Sequence, residues 1–224
     1  MINIENQKLI EKYLTFWEKL EATQKNLLLN NSAEKVFHKD DSIYSADEEC
    51  LGVLLIKTGM LRVFILSEDG REVTLYRLYP GDTCVLSASC ILNSINFEVH
   101  IAAELDTEAI LINIAAFGKV ANENVYAENF SLRNAMERFS EVMFAIEEIL
   151  FSSIEKRLAN YLLDQSDRAG GDKIKVTHEQ IAKDIGSARE VVSRMLKVFQ
   201  EEGLIEQGRG KIVIINEKGL EKFL

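Results

Sequence analysis

A single proline, three histidines and three cysteines among 224 residues already narrow what this chain can be. With so little proline and no low-complexity tract, no disordered linker is expected. Three cysteines, an odd number, do not make a disulfide framework, which points to a reducing, cytoplasmic setting. The histidines are His38, His100 and His178. A cupin-type metal enzyme would need two or three of them together with a carboxylate in one barrel, so no catalytic residue and no metal ligand is assigned. There is no apolar run of about 18 residues, hence no membrane span. The start, Met1-Ile2-Asn3-Ile4-Glu5, has no basic segment leading into an apolar stretch and is not read as a secretory signal. No phosphate-cradling glycine loop of the P-loop kind is present.

What is abundant is acid, and it is unevenly placed. The net charge is −10. Residues 154–224 hold 13 Lys+Arg against 12 Asp+Glu, whereas residues 1–153 hold 13 against 24. The acidic excess therefore lies entirely in the first part, and the last 71 residues are close to neutral. A polyanionic partner would be repelled by one part and tolerated by the other.

Patterning divides the chain in the same way. Gln7 to Asn30 reads as a helix with an apolar stripe of Leu9, Tyr13, Phe16, Trp17 and Leu20. From about Ala33 to Ile114 short apolar runs alternate with turns such as Lys57-Thr58-Gly59, Glu68-Asp69-Gly70 and Pro80-Gly81-Asp82. Strands at that spacing predict a barrel or sandwich. A long helix follows, from about Ala127 to Phe151. Its Leu132, Met136, Phe139, Met143, Ile146 and Leu150 step by 4, 3, 4, 3, 4, a heptad seam that fits either a twin helix or, as part of one broad stripe, the core of a single domain. Ala135, Val142 and Ile149 form a neighbouring stripe that would face the chain's own β domain. Ser166 to Asp172 reads as a loop.

The segment Val176 to Lys197 reads as two short helices joined at Gly186. Thr177 and Gln180 form a capping-box pattern at the first, and Ser187 and Glu190 at the second. Ile181, Ala182 and Ile185 give the first helix its apolar face, and Val192, Met195, Leu196 and Phe199 the second. Arg189, Glu190, Ser193 and Arg194 are left outward within about one turn. Arginine can grip guanine in bidentate fashion, and glutamate can accept from the cytosine amino group. Gly203 is a C-cap. A strand near Leu204-Ile205, the turn Gly208-Arg209-Gly210 and the β-branched run to Ile215 then predict a hairpin, placing Arg209 and Lys211 where a wing meets phosphates.

From about Lys173 to Ile215 these residues resemble the winged helix of the Crp/Fnr family of bacterial transcription regulators. Arg189, Glu190, Val192 and Arg194 match its Arg-Glu-x-Val-x-Arg pattern, and Glu190, Ser193 and Arg194 its Glu-x-x-Ser-Arg pattern. The resemblance covers nearly the whole chain. It implies an α+β fold in three parts: a cupin-like double-stranded β-roll sensor, resembling a cyclic nucleotide-binding domain, over 1–126; a dimerisation helix over 127–153; and a winged helix-turn-helix over 154–224. It further implies a homodimer on inverted-repeat double-stranded DNA. Arg189, Glu190, Ser193 and Arg194 would read bases, and Thr177, Arg209 and Lys211 would meet phosphates. RNA polymerase becomes a partner if the protein activates. The alternative carried beside this reading is a cupin-fold metal-dependent enzyme with an accessory domain.

The signal is not identified by sequence. Cyclic-nucleotide readers of the family carry a Gly-Glu pair followed by an Arg-Ser or Arg-Ala pair. The corresponding segment here, Gly81 to His100, has no arginine, and Glu98 has the wrong sign for a phosphate, so cyclic AMP is not expected. An iron–sulfur cluster needs four thiolates, and only Cys50, Cys84 and Cys90 exist. A small-molecule or redox effector remains, with Cys84, Ser87, Ser89, Cys90 and His100 as its candidate residues. The alternative is that the cysteines are packing residues.

Overall fold

The computed structural model describes residues 3–44, 52–68, 70–84 and 99–224. Within these the chain opens with helices α1 (Ile4–Tyr13) and α2 (Ala22–Asn30). Strands β1 (Ser32–Phe37), β2 (Ser42–Tyr44), β3 (Val53–Leu66), β4 (Glu72–Leu78), β5 (Thr83–Cys84) and β6 (His100–Ile112) follow. Helices α3 (Ile114–Glu123), α4 (Val125–Phe151) and α5 (Ile154–Ala169) lead to the last part. That part comprises β7 (Lys173–Ile174), α6 (His178–Ile185), α7 (Arg189–Glu201), β8 (Ile205–Gly208), β9 (Lys211–Ile214) and α8 (Glu217–Glu221).

The sheet of the first part runs β1-β6-β3-β4, with β2 added to β6 and β5 to β3. The apolar run Val53-Leu54-Leu55-Ile56 shows why a strand can lack polar alternation. Val53 and Leu55 face a cluster with Ile10, Trp17, Leu28 and Phe117. Leu54 and Ile56 face the other way, into a cluster with Tyr76, Leu78, Cys84 and Ile101. Both faces are covered, so all four are buried, and each such side chain contributes about 1.5–3 kcal/mol. The β3–β6 register shifts between Ile56 and Leu61. Gly59 sits in that irregular stretch at φ 84°, and a Cβ there would collide with the Asp106 carbonyl oxygen.

The helix expected over residues 7–30 is broken. A 3-10 turn at Trp17–Lys19 separates α1 from α2, and the Glu21 amide donates to Gln24 Oε1 at 3.2 Å to start α2 afresh. Leu14, Phe16, Trp17 and Leu20 are all buried in one cluster. A straight helix would bury a single stripe, whereas the bend delivers consecutive residues to the same core. The loop expected from Ser166 shrinks as well. The last turn of α5 reaches Ala169 and closes on Gly170 in the left-handed conformation.

Contacts group the chain into two compact units, Met1–Ile65 with Leu75–Val142, and Leu66–Thr74 with Met143–Leu224. The tip of the β3–β4 hairpin therefore belongs with the C-terminal part. No helix among the described residues is long and apolar enough to cross a membrane.

Candidate nucleic-acid interface

The C-terminal unit is built on one apolar cluster. Leu158 and Leu162 of α5, Ile181 and Ile185 of α6, Val192, Leu196 and Phe199 of α7, and Ile205, Ile212 and Ile214 of the β8–β9 hairpin supply it. Thr177 starts α6, its Oγ1 accepting the Gln180 amide at 3.1 Å. Gly186 ends α6 at φ 62°, its amide donating to the Ala182 carbonyl. A Cβ at Gly186 would come within 2.7 Å of Ile149 Cδ1, the movable end of a side chain, so it is the left-handed backbone that calls for glycine here.

The start of α7 differs from expectation. Ala188, not Ser187, is its N-cap, and no side chain caps it. The Ser187 amide is instead drawn back to the Ala182 carbonyl at 2.9 Å, still part of the α6 turn. The tight turn takes up Ser187, and α7 begins one residue later. Its first-turn amides thus lack the side-chain acceptor that a Ser cap would supply, an end suited to an external anion.

With Val192, Leu196 and Phe199 buried, Arg189, Glu190, Ser193 and Arg194 fall on the exposed side of α7. Thr177, Arg209 and Lys211 are exposed too. The wing closes with Gly208 opposite Lys211, and Gln200 Oε1 of α7 accepts the Gln207 amide at 3.2 Å, which holds the wing against the reading helix.

Sequence reasoning missed two devices of this unit. Arg157 on α5 sends Nη1 to the carbonyls of Glu148, Ile149 and Ser152 at 3.2, 2.8 and 2.9 Å. Those are the last carbonyls of α4 and its exit, so one guanidinium both caps α4 and fixes how α5 leaves it. The other is the hairpin tip. Lys183 Nζ pairs with Glu72 at 3.0 Å, and the Thr74 hydroxyl donates to Asp184 at 3.2 Å. Both α6 partners stand one turn before Gly186. The odd placement of a Lys-Asp pair beside the apolar face of α6 was the only trace in sequence.

Helix α4 presents Leu132, Met136, Phe139, Met143, Ile146 and Leu150 to solvent, each between 38% and 67% exposed. On its other side Val142 packs into the β-domain cluster. Ser131 and Arg138 on that side are buried as well.

The candidate effector residues are only partly visible. Cys84 is buried beside Leu54 in the β-domain cluster. His100 is half-buried and stacks on Phe64 with ring centroids 5.4 Å apart, while Arg62 lies over the Phe64 ring at 4.1 Å. Ser87, Ser89 and Cys90 lie outside the described residues, as does Glu98. Among the described residues no three His, Cys, Asp or Glu side chains gather to hold a metal ion.

A polar group that the sequence reading passed over lies in the β domain. Arg138 is buried at 8% exposure, with Nη1 donating to both Glu141 oxygens at 2.9 Å and Nη2 standing 3.5 Å from Asp82. Its guanidinium lies over the Tyr76 ring at 5.3 Å. Among the described residues the Tyr76 hydroxyl and Arg138 Nε, both buried, have no hydrogen-bond partner. Burial, with Cys84 nearby, holds the Tyr76 phenol well above its ordinary titration range, so it is a neutral O–H donor. The signal was there to be read: Arg138 falls three residues after Ala135 and four before Val142, a cation on the core-facing stripe.

A sheet domain followed by a long helix and a winged helix defines a sensor joined to a DNA-reading head. The comparisons agree with that class. Residues 34–124 match the cyclic nucleotide-binding domain, and residues 156–223 the Crp-like helix-turn-helix domain. A Crp/Fnr-family protein of known structure from Eubacterium rectale is 43% identical, with 95% of this chain and 99% of that one covered and a TM-score of 0.90. The transcriptional regulator LdrP of Thermus thermophilus is 28% identical over 84% of this chain and 95% of its own. The cAMP-activated global regulator Vfr of Pseudomonas aeruginosa is 26% identical over 90% and 97%. The chain belongs to the Crp/Fnr family and is a DNA-binding transcription regulator. The enzyme alternative finds no support among these relatives.

Proposed function

We propose that two copies of the chain pair through the α4 seam and set their α7 helices into major grooves about one helical turn apart on an inverted repeat. Arg189, Glu190, Ser193 and Arg194 read base edges, while Thr177, Arg209 and Lys211 hold phosphates. The resemblance of α7 to the family's reading helix favours half-sites near TGTGA or TTGA. RNA polymerase is the further partner if the bound dimer activates. The observation that carries this reading is the exposed heptad seam on the helix that leads directly into the reading head. A large exposed apolar strip is a contact surface, and a palindromic operator requires a twofold protein.

The β domain takes up a signal that favours one arrangement of the heads, through a difference in affinity between arrangements. Cyclic AMP is not assigned that part. The segment from Gly81 to His100 lacks arginine, and Arg138, a buried cation of the domain, already faces the carboxylates of Asp82 and Glu141. Selection of binding sites from random duplexes, followed by sedimentation of the complex, tests the assembly. An inverted repeat bound by two chains is expected. A single half-site bound by one chain would refute it.

A further inference from the structure

We propose that Gln200 and Gly208 are positioning residues for the phosphate grip: without meeting DNA themselves, they aim Arg209 and Lys211 of the wing at the duplex that α7 reads. The inference rests on the reading of Arg209 and Lys211 as phosphate contacts and names what directs them.

A hairpin whose strands are four residues each has little stiffness of its own. Its base is anchored by packing, since Ile205 pairs with Ile214 and both are buried in the cluster of the C-terminal unit. Two rungs further out, Gln207 stands opposite Ile212. Ile212 is buried and fixes the β9 side of that rung. The β8 side is fixed differently. β8 is the outer strand of its sheet, so part of its backbone faces no neighbouring strand. The Gln207 amide donates instead to Gln200 Oε1 of α7 at 3.2 Å. Water could satisfy so exposed an amide equally well. What the side chain adds is a tether, and the tether runs to the helix that carries the base-reading set. Gln200 lies about 16 Å along α7 from Arg189, at the helical rise per residue. One rigid helix therefore sets the span between the bases read and the phosphates gripped.

Beyond that rung residues 208–211 are exposed. Gly208 stands opposite Lys211, and a Cβ on it would come 2.6 Å from Lys211 Cε and 3.0 Å from Cγ. The lysine stem thus lies across the bare glycine. Gly208 does not have a positive φ, so it is the space and not the backbone that favours glycine here. A methyl group at this position would turn the stem, and the ammonium at its end, elsewhere. A stem already directed before DNA arrives lowers the ordering cost of binding.

Fluorescence anisotropy of the full-length protein on the selected operator and on a random duplex, across a salt series, tests this. Gln200→Met keeps the bulk and removes the acceptor. It should weaken both duplexes alike, several-fold, and lower the salt slope by about one to two ions, as lost phosphate contacts do. Gly208→Ala should lower the slope by about one ion, the share of Lys211. In a chain already carrying Arg209→Ala and Lys211→Ala, neither substitution should have a further effect, because nothing is left to aim. Circular dichroism checks that every variant folds. The proposal falls for either residue whose substitution leaves binding as in wild type. It falls equally for either whose loss persists undiminished in the Arg209→Ala, Lys211→Ala background, which would mark a direct contact or a loosened fold. The two readings separate in the same data. If removing both cations leaves the salt slope unchanged, the phosphate reading fails and the positioning role with it. If the slope depends on the cations while the Gln200 and Gly208 variants are silent, only the positioning role is lost.

Discussion

Arginine does several different jobs in this chain, and its surroundings decide which. Arg189 and Arg194 are exposed on α7, free of the apolar cluster beneath them. Arg209 sits at the wing turn. Arg157 is spent on helix carbonyls, and Arg138 is buried against a phenol. The exposed set yields a contrast measurable on DNA. Arg189→Ala or Arg194→Ala should cost about 1–3 kcal/mol per half-site on the selected operator and relax the preference for one G·C pair. Arg209→Ala should weaken selected and random duplexes alike and flatten the salt dependence by about one ion. Fluorescence anisotropy across a salt series separates the two. Equal losses on both duplexes for Arg189→Ala would remove it from base reading. The exposed arginines were legible in sequence because their roles follow from position on an amphipathic helix. The role of Arg157 was not, because its partners lie 5–9 residues away across a helix break, and of Arg138 only its place on the core-facing stripe was legible, not its neighbour on another strand.

At the scale of elements, the long helix and the winged hairpin followed from period alone, and α4 begins within two residues of the expected start. The N-terminal helix did not, since only the assembled core reveals that Leu14, Phe16, Trp17 and Leu20 must converge. The hairpin tip was equally hidden. Its turn was visible, but its destination on α6, through Glu72 and Thr74, depends on long-range packing that no local pattern encodes. Helix α4 supports the sharpest prediction at this scale. Phe139→Glu or Ile146→Glu should produce monomers in sedimentation, because a carboxylate in the seam would be buried without a partner. The β domain should stay folded by circular dichroism, as neither residue belongs to its clusters. Operator affinity should fall with the dimer. A wild-type protein that is monomeric at micromolar concentration yet binds operator would contradict this.

For the molecule as a whole, the separation of charge matters more than its sum. The first 153 residues carry the acidic excess and the remainder is near neutral, so DNA is repelled by the first part and tolerated by the second. Nonspecific affinity should be modest, and specificity must come from base contacts. Signal and reading are also chemically separate, which permits a direct exclusion. Cyclic AMP should leave the melting temperature and operator affinity unchanged. A ligand at a hundred times its dissociation constant stabilises a fold by about 2.7 kcal/mol, so a real effect would be plain in a thermal scan.

The exposed seam of α4 also bears on dosage. If each operator needs two chains joined along that strip, occupancy at low abundance rises with the square of the protein made rather than in proportion to it. Halving expression would then cut occupancy of an unsaturated operator about fourfold while the pool is mostly monomer, and only about twofold once it is mostly dimer. The response of the regulated genes would acquire a threshold from the apolar side chains of one helix, before any effector is bound.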